Sequence, residues 1–562
     1  MRAIPLLLRA ALAGALLLSS ARADDTAFGD QLGTIHFEAG GLPAAQPHVV
    51  RGVKLLHHMM YPEADRAFAA ALAADPNCAL AWWGRAMTII HPLWPDAPTA
   101  AENQQGAEYI RRGLGIALAT PRERAYLETL DVYFGPAAAA DYAARLQDLD
   151  RAWFALAERY PDDLDALAFS ALYHLAPARF LPKDRSNRLQ LEAATRLQMI
   201  LAKIPDHPGG QHYKIHAYDF PLLADRALEV CDTYGGIAPD VPHALHMPTH
   251  IFTRRGLWDK SIEYNLRSAA AARQLAEAAG ALNGHLPHAL DYLAYAYLQS
   301  GRYREADAIR RQLAEFKGPY SPVQPAAMAF AFAAVPARCT LERQAWAEAA
   351  KLPLHLPAAF AWGPNNRYCD SIVRFARAIG AARSGQLDAA RVELAELEQL
   401  QRDLQAGKSV AYWIAQAETQ VLATQAWIEL AAGNKGTAVD LMRKSAMIEA
   451  TSDKEAVTPG EVLPAGDLLG DLYLELEQPK DALAAYEAVL LASPNRFNTL
   501  YGAGLAAERG GDFAKAQQHY TQLLTVAAHA DPGNARLEHA RGYLRNLRTA
   551  PGDELVPSIA AR

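Results

Sequence analysis

GDLYLELEQPKDALAAYEAVLLASPNRFNTLYGAGLAAERGGDFAKAQQHYTQL, residues 470–523, carries one spacing twice. Gly470, Ala482, Tyr486 and Val489 return 34 residues later as Gly504, Ala516, Tyr520 and Leu523, and Pro494 closes the first copy. Small residues at fixed intervals let paired helices approach closely, and the aromatic fills the gap between one pair and the next. A recurrence of this length, found in two contiguous copies, predicts a stacked array of helical pairs.

The same pattern recurs near the other end as Gly52, Ala64, Phe68, Ala71 and Pro76, and Trp82 with Ala86 opens a further copy. Weaker copies lie between: GLWDKSIEYNLRS (256–268), GRYREADAIRRQL (301–313), and the segments 385–397 and 433–445. No sustained alternation of apolar and polar residues appears, so strands are not expected. These anchors resemble the tetratricopeptide repeat (TPR) family. The resemblance implies an all-α solenoid of helical hairpins with a concave groove lined by the first helix of each pair. HMPTHIFTRRGLW and HALDYLAYAYLQ also resemble stretches of a group of exported bacterial TPR proteins of unassigned function. The expected layout is an N-terminal segment at 24–44, TPR-like repeats at 45–200, a His-rich central block at 201–320 and C-terminal repeats at 321–548. The clearest copies are 463–496 and 497–530, and a disordered tail follows at 549–562.

Ahead of these stands MRAIPLLLRAALAGALLLSSARA (1–23), with a basic start, a short apolar run and a small-residue cleavage site. It reads as a secretory signal peptide and predicts a periplasmic or secreted protein. Its removal takes the formal charge from −7 to −10. A mildly acidic chain without a basic block argues against a nucleic-acid partner. At 562 residues the chain exceeds the size at which one core stops growing. Cys78, Cys231, Cys339 and Cys369 form no metal motif, and both disulfides and isolated buried thiols fit their spacing. No phosphate loop, serine elbow or dinucleotide fingerprint is present. Thr120, Pro121 and Glu123 form a capping-box pattern, and residues 363–368 read as a loop.

Chemistry concentrates elsewhere. Eight of the eighteen histidines fall between His207 and His288. On a helix, His243, His246 and His250 share one side, and His288, Asp291 and Tyr295 repeat that three-then-four spacing. Counted from the repeat pattern, both sets occupy the groove-facing positions that the TPR resemblance implies. HPGGQHYKIHAYD places His212 and His216 one turn apart, followed by Asp219. Imidazole pairs at i and i+4 suit zinc, copper or iron. His212, His216, His246, His250 and His288 are therefore candidate ligands, expected to converge on one ion. Asp219 and Asp291 are candidate ligands, orienting acceptors or general bases. His243, Tyr295 and Arg254 are candidate groove contacts for a peptide or protein partner. No HExxH glutamate is present, which argues against the zinc-protease class. Pro248 interrupts the run: either the helix kinks there, or it starts there and leaves His243 and His246 on the incoming segment. His57, His58 and His91 are expected to play structural roles. Two functions follow: a peptide-binding TPR protein carrying a transition metal, or a metal-dependent hydrolase or oxidase on the same scaffold.

Overall fold

The computed structural model describes residues 28–94, 97–181, 184–407, 409–452 and 454–549. The expected signal peptide and the tail beyond Thr549 lie outside them. The fold is an all-α arrangement of TPR-like helical hairpins, consecutive helices packing as neighbours. Among the described residues no helix is long and apolar enough to cross a membrane. The chain forms two compact units. The first is Met1–Tyr218, Arg226–Pro248 and Arg267–His285; the second is Asp219–Asp225, Thr249–Leu266 and Leu286–Arg562. The expected central block at 201–320 is thus shared between the two units.

The first unit begins with helices Gln46–His57, Tyr61–Ala74 and Ala79–Met87. Phe68 lies between the first and third of them, as the repeat pattern requires. A Cβ built on Gly52 would stand 2.6 Å from the Phe68 ring, and one on Gly84 would stand 2.3 Å from it. Only hydrogen fits at either place, so the two flanking helices close on the ring. Trp83 centres the aromatic core, 5.1 Å from Tyr126 and 5.8 Å from both Phe37 and Phe169. Helix Pro121–Phe134 starts at the expected capping box, in which Thr120 and Glu123 each take the other's backbone N–H. Helices Tyr142–Arg159, Leu164–Leu175, Arg188–Lys203 and Pro208–Tyr218 follow.

The second unit repeats the device. Tyr486, on helix Pro479–Ala492, lies between Gly470 of helix Ala465–Glu475 and Gly502 of helix Phe497–Gly510, each of which would place a Cβ 2.5 Å from its ring. Gly504 meets Tyr520 in the same way, at 2.5 Å. Glu477 and Gly511, which end the first helix of consecutive copies, both take left-handed backbone angles, φ 58° and 78°. Residues 364–366, expected as loop, form one short 3-10 turn. All four cysteines are buried thiols outside any disulfide, so of the two readings open for them the disulfide one does not hold.

Candidate metal centre

Helix Pro208–Tyr218 starts at a proline suited to a first helical turn. Gly209 lets it lie against the end of Gln46–His57, since a Cβ there would stand 2.5 Å from His57 Nδ1. This approach sets the ring of His212. Its Nδ1 lies 2.6 Å from the backbone carbonyl oxygen of His57. A carbonyl only accepts, so Nδ1 carries the proton and Nε2 presents the lone pair of the neutral ring. A second imidazole faces that lone pair: His216 Nε2, one turn on, is 3.1 Å away.

Helix Pro242–His246 brings the third ring. Ser268 Oγ donates to the Pro242 carbonyl at 2.8 Å and anchors this short helix. His243 is 4% exposed, and neither of its ring nitrogens has a hydrogen-bond partner. Burial, followed by the adjacent rings of His212 and His285, holds its pKa well below the usual histidine value. The ring is neutral at physiological pH and can offer a lone pair. One nitrogen from each of His212, His216 and His243 lies within 4.8 Å of the others. The ring centres of His212 and His216 are 4.9 Å apart and those of His212 and His243 are 5.0 Å apart. Two imidazoles bound tetrahedrally to one ion at about 2.0–2.1 Å have their centres roughly 5 Å apart. The three rings are arranged as ligands, and His212 has the backbone-carbonyl support typical of a metal-bound histidine.

A second group in the first unit, His57, Asp165 and His207, is equally compact but differently used. His57 Nε2–H donates to Asp165 Oδ1 at 2.9 Å, and its Nδ1 accepts from the Tyr213 hydroxyl at 3.0 Å. His207 Nδ1 accepts from the Gly210 N–H at 3.1 Å, which leaves its proton on Nε2, 3.4 Å from Asp165 Oδ1. Both rings have their lone pairs engaged within the protein. Burial pushes the Asp165 carboxyl up, but the hydrogen bonds from His207 and His57 outweigh it and hold it below the ordinary carboxylate range. This is a structural network, in line with the expectation for His57. His58 and His91 are likewise hydrogen-bonded, to Tyr234 and Leu32 and to Thr88.

The remaining predicted residues lie as follows. Segments Pro242–His246 and Pro248–Arg254 are separated by Met247 alone, which keeps helical backbone angles (φ −54°, ψ −40°) and donates to the His243 carbonyl at 3.0 Å, so the proline bends the run without ending it. His246 stays in the first unit and is 2% exposed. His250, His288, Asp219, Arg254, Asp291 and Tyr295 belong to the second. There Asp219 accepts from His250 Nδ1 at 3.0 Å, Arg254 Nε at 2.9 Å and Lys454 Nζ at 2.9 Å. Both of its oxygens are occupied. Burial pushes its pKa up, but Lys454 and Arg254 more than reverse this and hold it well below the usual range. The His250 and His288 ring centres are 6.2 Å apart. Asp291 Oδ1 accepts from Arg338 Nη1 at 2.5 Å while its Oδ2 is buried without a partner, and burial raises its pKa to about 6. The Tyr295 hydroxyl accepts from Arg496 Nη1 at 2.5 Å.

Sequence spacing assigned His243 to the groove, whereas the structure gathers it with His212 and His216. His285, absent from the expected ligands, lies 5.8 Å from His243 between ring centres. Its density within the His-rich block was the only signal. The His57 carbonyl, 155 residues from His212, left none.

No protein-family model matches the chain, and no curated protein matches it. Among solved structures it is similar to a chain in the crystal structure of the APC/C hetero-tetramer Cut9-Hcn1. The two are 12% identical, the match covers 90% of this chain and 96% of that one, and the TM-score is 0.25.

Proposed function

We propose that the chain is an exported TPR-type protein that binds a peptide or protein partner and holds one transition-metal ion on His212, His216 and His243. The observation that carries the metal is the meeting of three imidazole nitrogens within 4.8 Å in a site where both nitrogens of His243 lack any partner. Burying an imidazole without satisfying it costs free energy, and an ion at this point removes that cost for His243. Nitrogen donors without a thiolate suit zinc, copper or iron.

The partner half rests on the TPR-like hairpins, whose stacked surfaces suit extended ligands. In the second unit a hollow of about 410 Å³ is lined by Asp471, Leu474, Asn498, Tyr501, Arg509 and Arg536, among others. Its mixed charges suit an extended polar segment. Arg254 and Tyr295 do not line this hollow. Export rests on the first 23 residues. An enzyme reading has one observation in its favour: three protein ligands leave a position on a four-coordinate ion where water can be activated.

The test is elemental analysis of untagged protein recovered from the periplasm, beside His243→Ala. The expected result is a bound transition metal of which about one equivalent is lost in a variant that stays helical, in a chain beginning at Asp24. If neither protein takes up zinc, copper or iron on reconstitution, the metal half is wrong and capture of a partner remains the function to pursue.

A further inference from the structure

We infer that His285 supplies a fourth imidazole to the ion held by His212, His216 and His243, so that the centre is closed and serves to staple segments of the first unit together. The inference rests on the three-histidine reading and extends it. His285 is 4% exposed, and its ring centre is 5.8 Å from that of His243, at 58° to it. The separation exceeds the roughly 5 Å of two imidazoles on one tetrahedral ion by less than 1 Å, which a side-chain rotation spans.

The backbone already places this residue. His285 is the first residue of helix His285–Gln299, and its N–H donates to Asn283 Oδ1 at 3.1 Å. Asn283 is itself 5% exposed, so the start of the helix is fixed where the ring faces His243. His285 also meets Trp94 in an edge-to-face contact, with ring centres 6.5 Å apart.

The functional consequence is specific. Three histidines leave a place for water and for hydrolytic chemistry, whereas four close the sphere, as in structural metal sites. The ion would then join helix Pro208–Tyr218, helix Pro242–His246 and the segment ending at His285, all parts of the first unit.

Cobalt(II) added to the metal-stripped full chain tests this, read by X-ray absorption and by the visible spectrum, as the difference between wild type and His243→Ala. The expected wild-type sphere has four nitrogen donors and a spectrum unchanged from about pH 6 to about pH 9, because no bound water is present to ionise. His285→Ala should exchange one nitrogen for a solvent oxygen and weaken cobalt binding at least about tenfold, the scale seen on losing even an outer-shell partner. His285→Gln, which keeps bulk at the site, should behave likewise. A wild-type sphere of three nitrogens and an oxygen, unaltered by either variant, overturns the assignment and turns the centre into an open one. If wild type binds no cobalt, the three-histidine centre itself fails, a different result from the first. Should the variants fail to fold, the donor count in wild type decides alone.

Discussion

Buried histidines in this protein differ in what their nitrogens meet. His58 Nδ1 accepts from the Tyr234 hydroxyl at 2.8 Å and its Nε2–H donates to the Leu32 carbonyl at 3.3 Å. Burial lowers its pKa to about 3. His91 donates to the Thr88 carbonyl at 3.1 Å, stacks on Tyr61 at 4.2 Å, and is lowered by burial to about 4. Both rings are held neutral by the fold and become charged when the chain unfolds. A depressed folded pKa means that the unfolded chain binds the extra proton first. Their stabilising contribution is complete above the unfolded value of about 6.5 and is lost as pH falls towards 4 for His91 and towards 3 for His58. Melting temperature should therefore drop steadily below about pH 6.5, and His91→Gln should flatten part of that slope even if it lowers stability at neutral pH. An unchanged slope in the variant would show that His91 titrates alike in both states. His243 is the contrasting case, because it is buried with neither nitrogen met by the protein. Sequence flagged the crowd of histidines to which it belongs but could not separate satisfied rings from unsatisfied ones, since the partners are up to 176 residues away.

At the scale of the helix, stability depends on close approach around an aromatic ring. Tyr486 is 1% exposed, pressed between Gly470 and Gly502, and its hydroxyl donates to Asp471 Oδ1 at 2.6 Å. An added methyl at Gly502 must push against a ring that is fixed at both ends. Gly502→Ala should cost about 1–3 kcal/mol, the usual penalty for overpacking. Gly436, on helix Lys435–Ala450, provides the opposite sign, because a Cβ there meets nothing within 4 Å. Gly436→Ala should raise stability by about 0.5–1 kcal/mol through helix propensity alone. Urea unfolding of the two variants checks both, and equal effects would mean that the ring does not set the helix spacing. The repeat made Gly470, Gly504, Tyr486 and Tyr520 legible as one pattern. It did not single out Gly502 or Gly84, because the second contact to each ring comes from the following helix, outside the copy that contains the ring. Pro248 was legible as an interruption, but a proline in a run fits a kink and a restart equally well. Met247, between Pro242–His246 and Pro248–Arg254, keeps helical backbone angles (φ −54°, ψ −40°), so of the two the kink holds.

Over the whole molecule, the repeats say which helices are neighbours in sequence, while contacts decide which segments form a unit. That is why a layout in chain order, 45–200, 201–320 and 321–548, does not describe two units that each draw on three stretches of chain. The all-α class follows from periodicity and is legible; the sharing of the His-rich block follows from long-range packing and is not. The proposed centre draws its ligands from helix Pro208–Tyr218 and helix Pro242–His246, two separate stretches of the first unit. An ion bound there favours the folded arrangement over any in which those stretches separate, and binding to the native state alone stabilises by mass action. With free metal at about 100 times Kd the gain is roughly 2.7 kcal/mol. For units of this order of size, that corresponds to a rise of roughly 5–10 °C in the transition that contains the site. Calorimetry of the metal-stripped protein, repeated with added zinc and then with excess chelator, should show one transition move up and return. His243→Ala should melt at the same temperature with and without zinc. If zinc raises the variant's melting temperature as much as that of wild type, the stabilising ion binds elsewhere, and His212, His216 and His243 must be satisfied by something other than a metal.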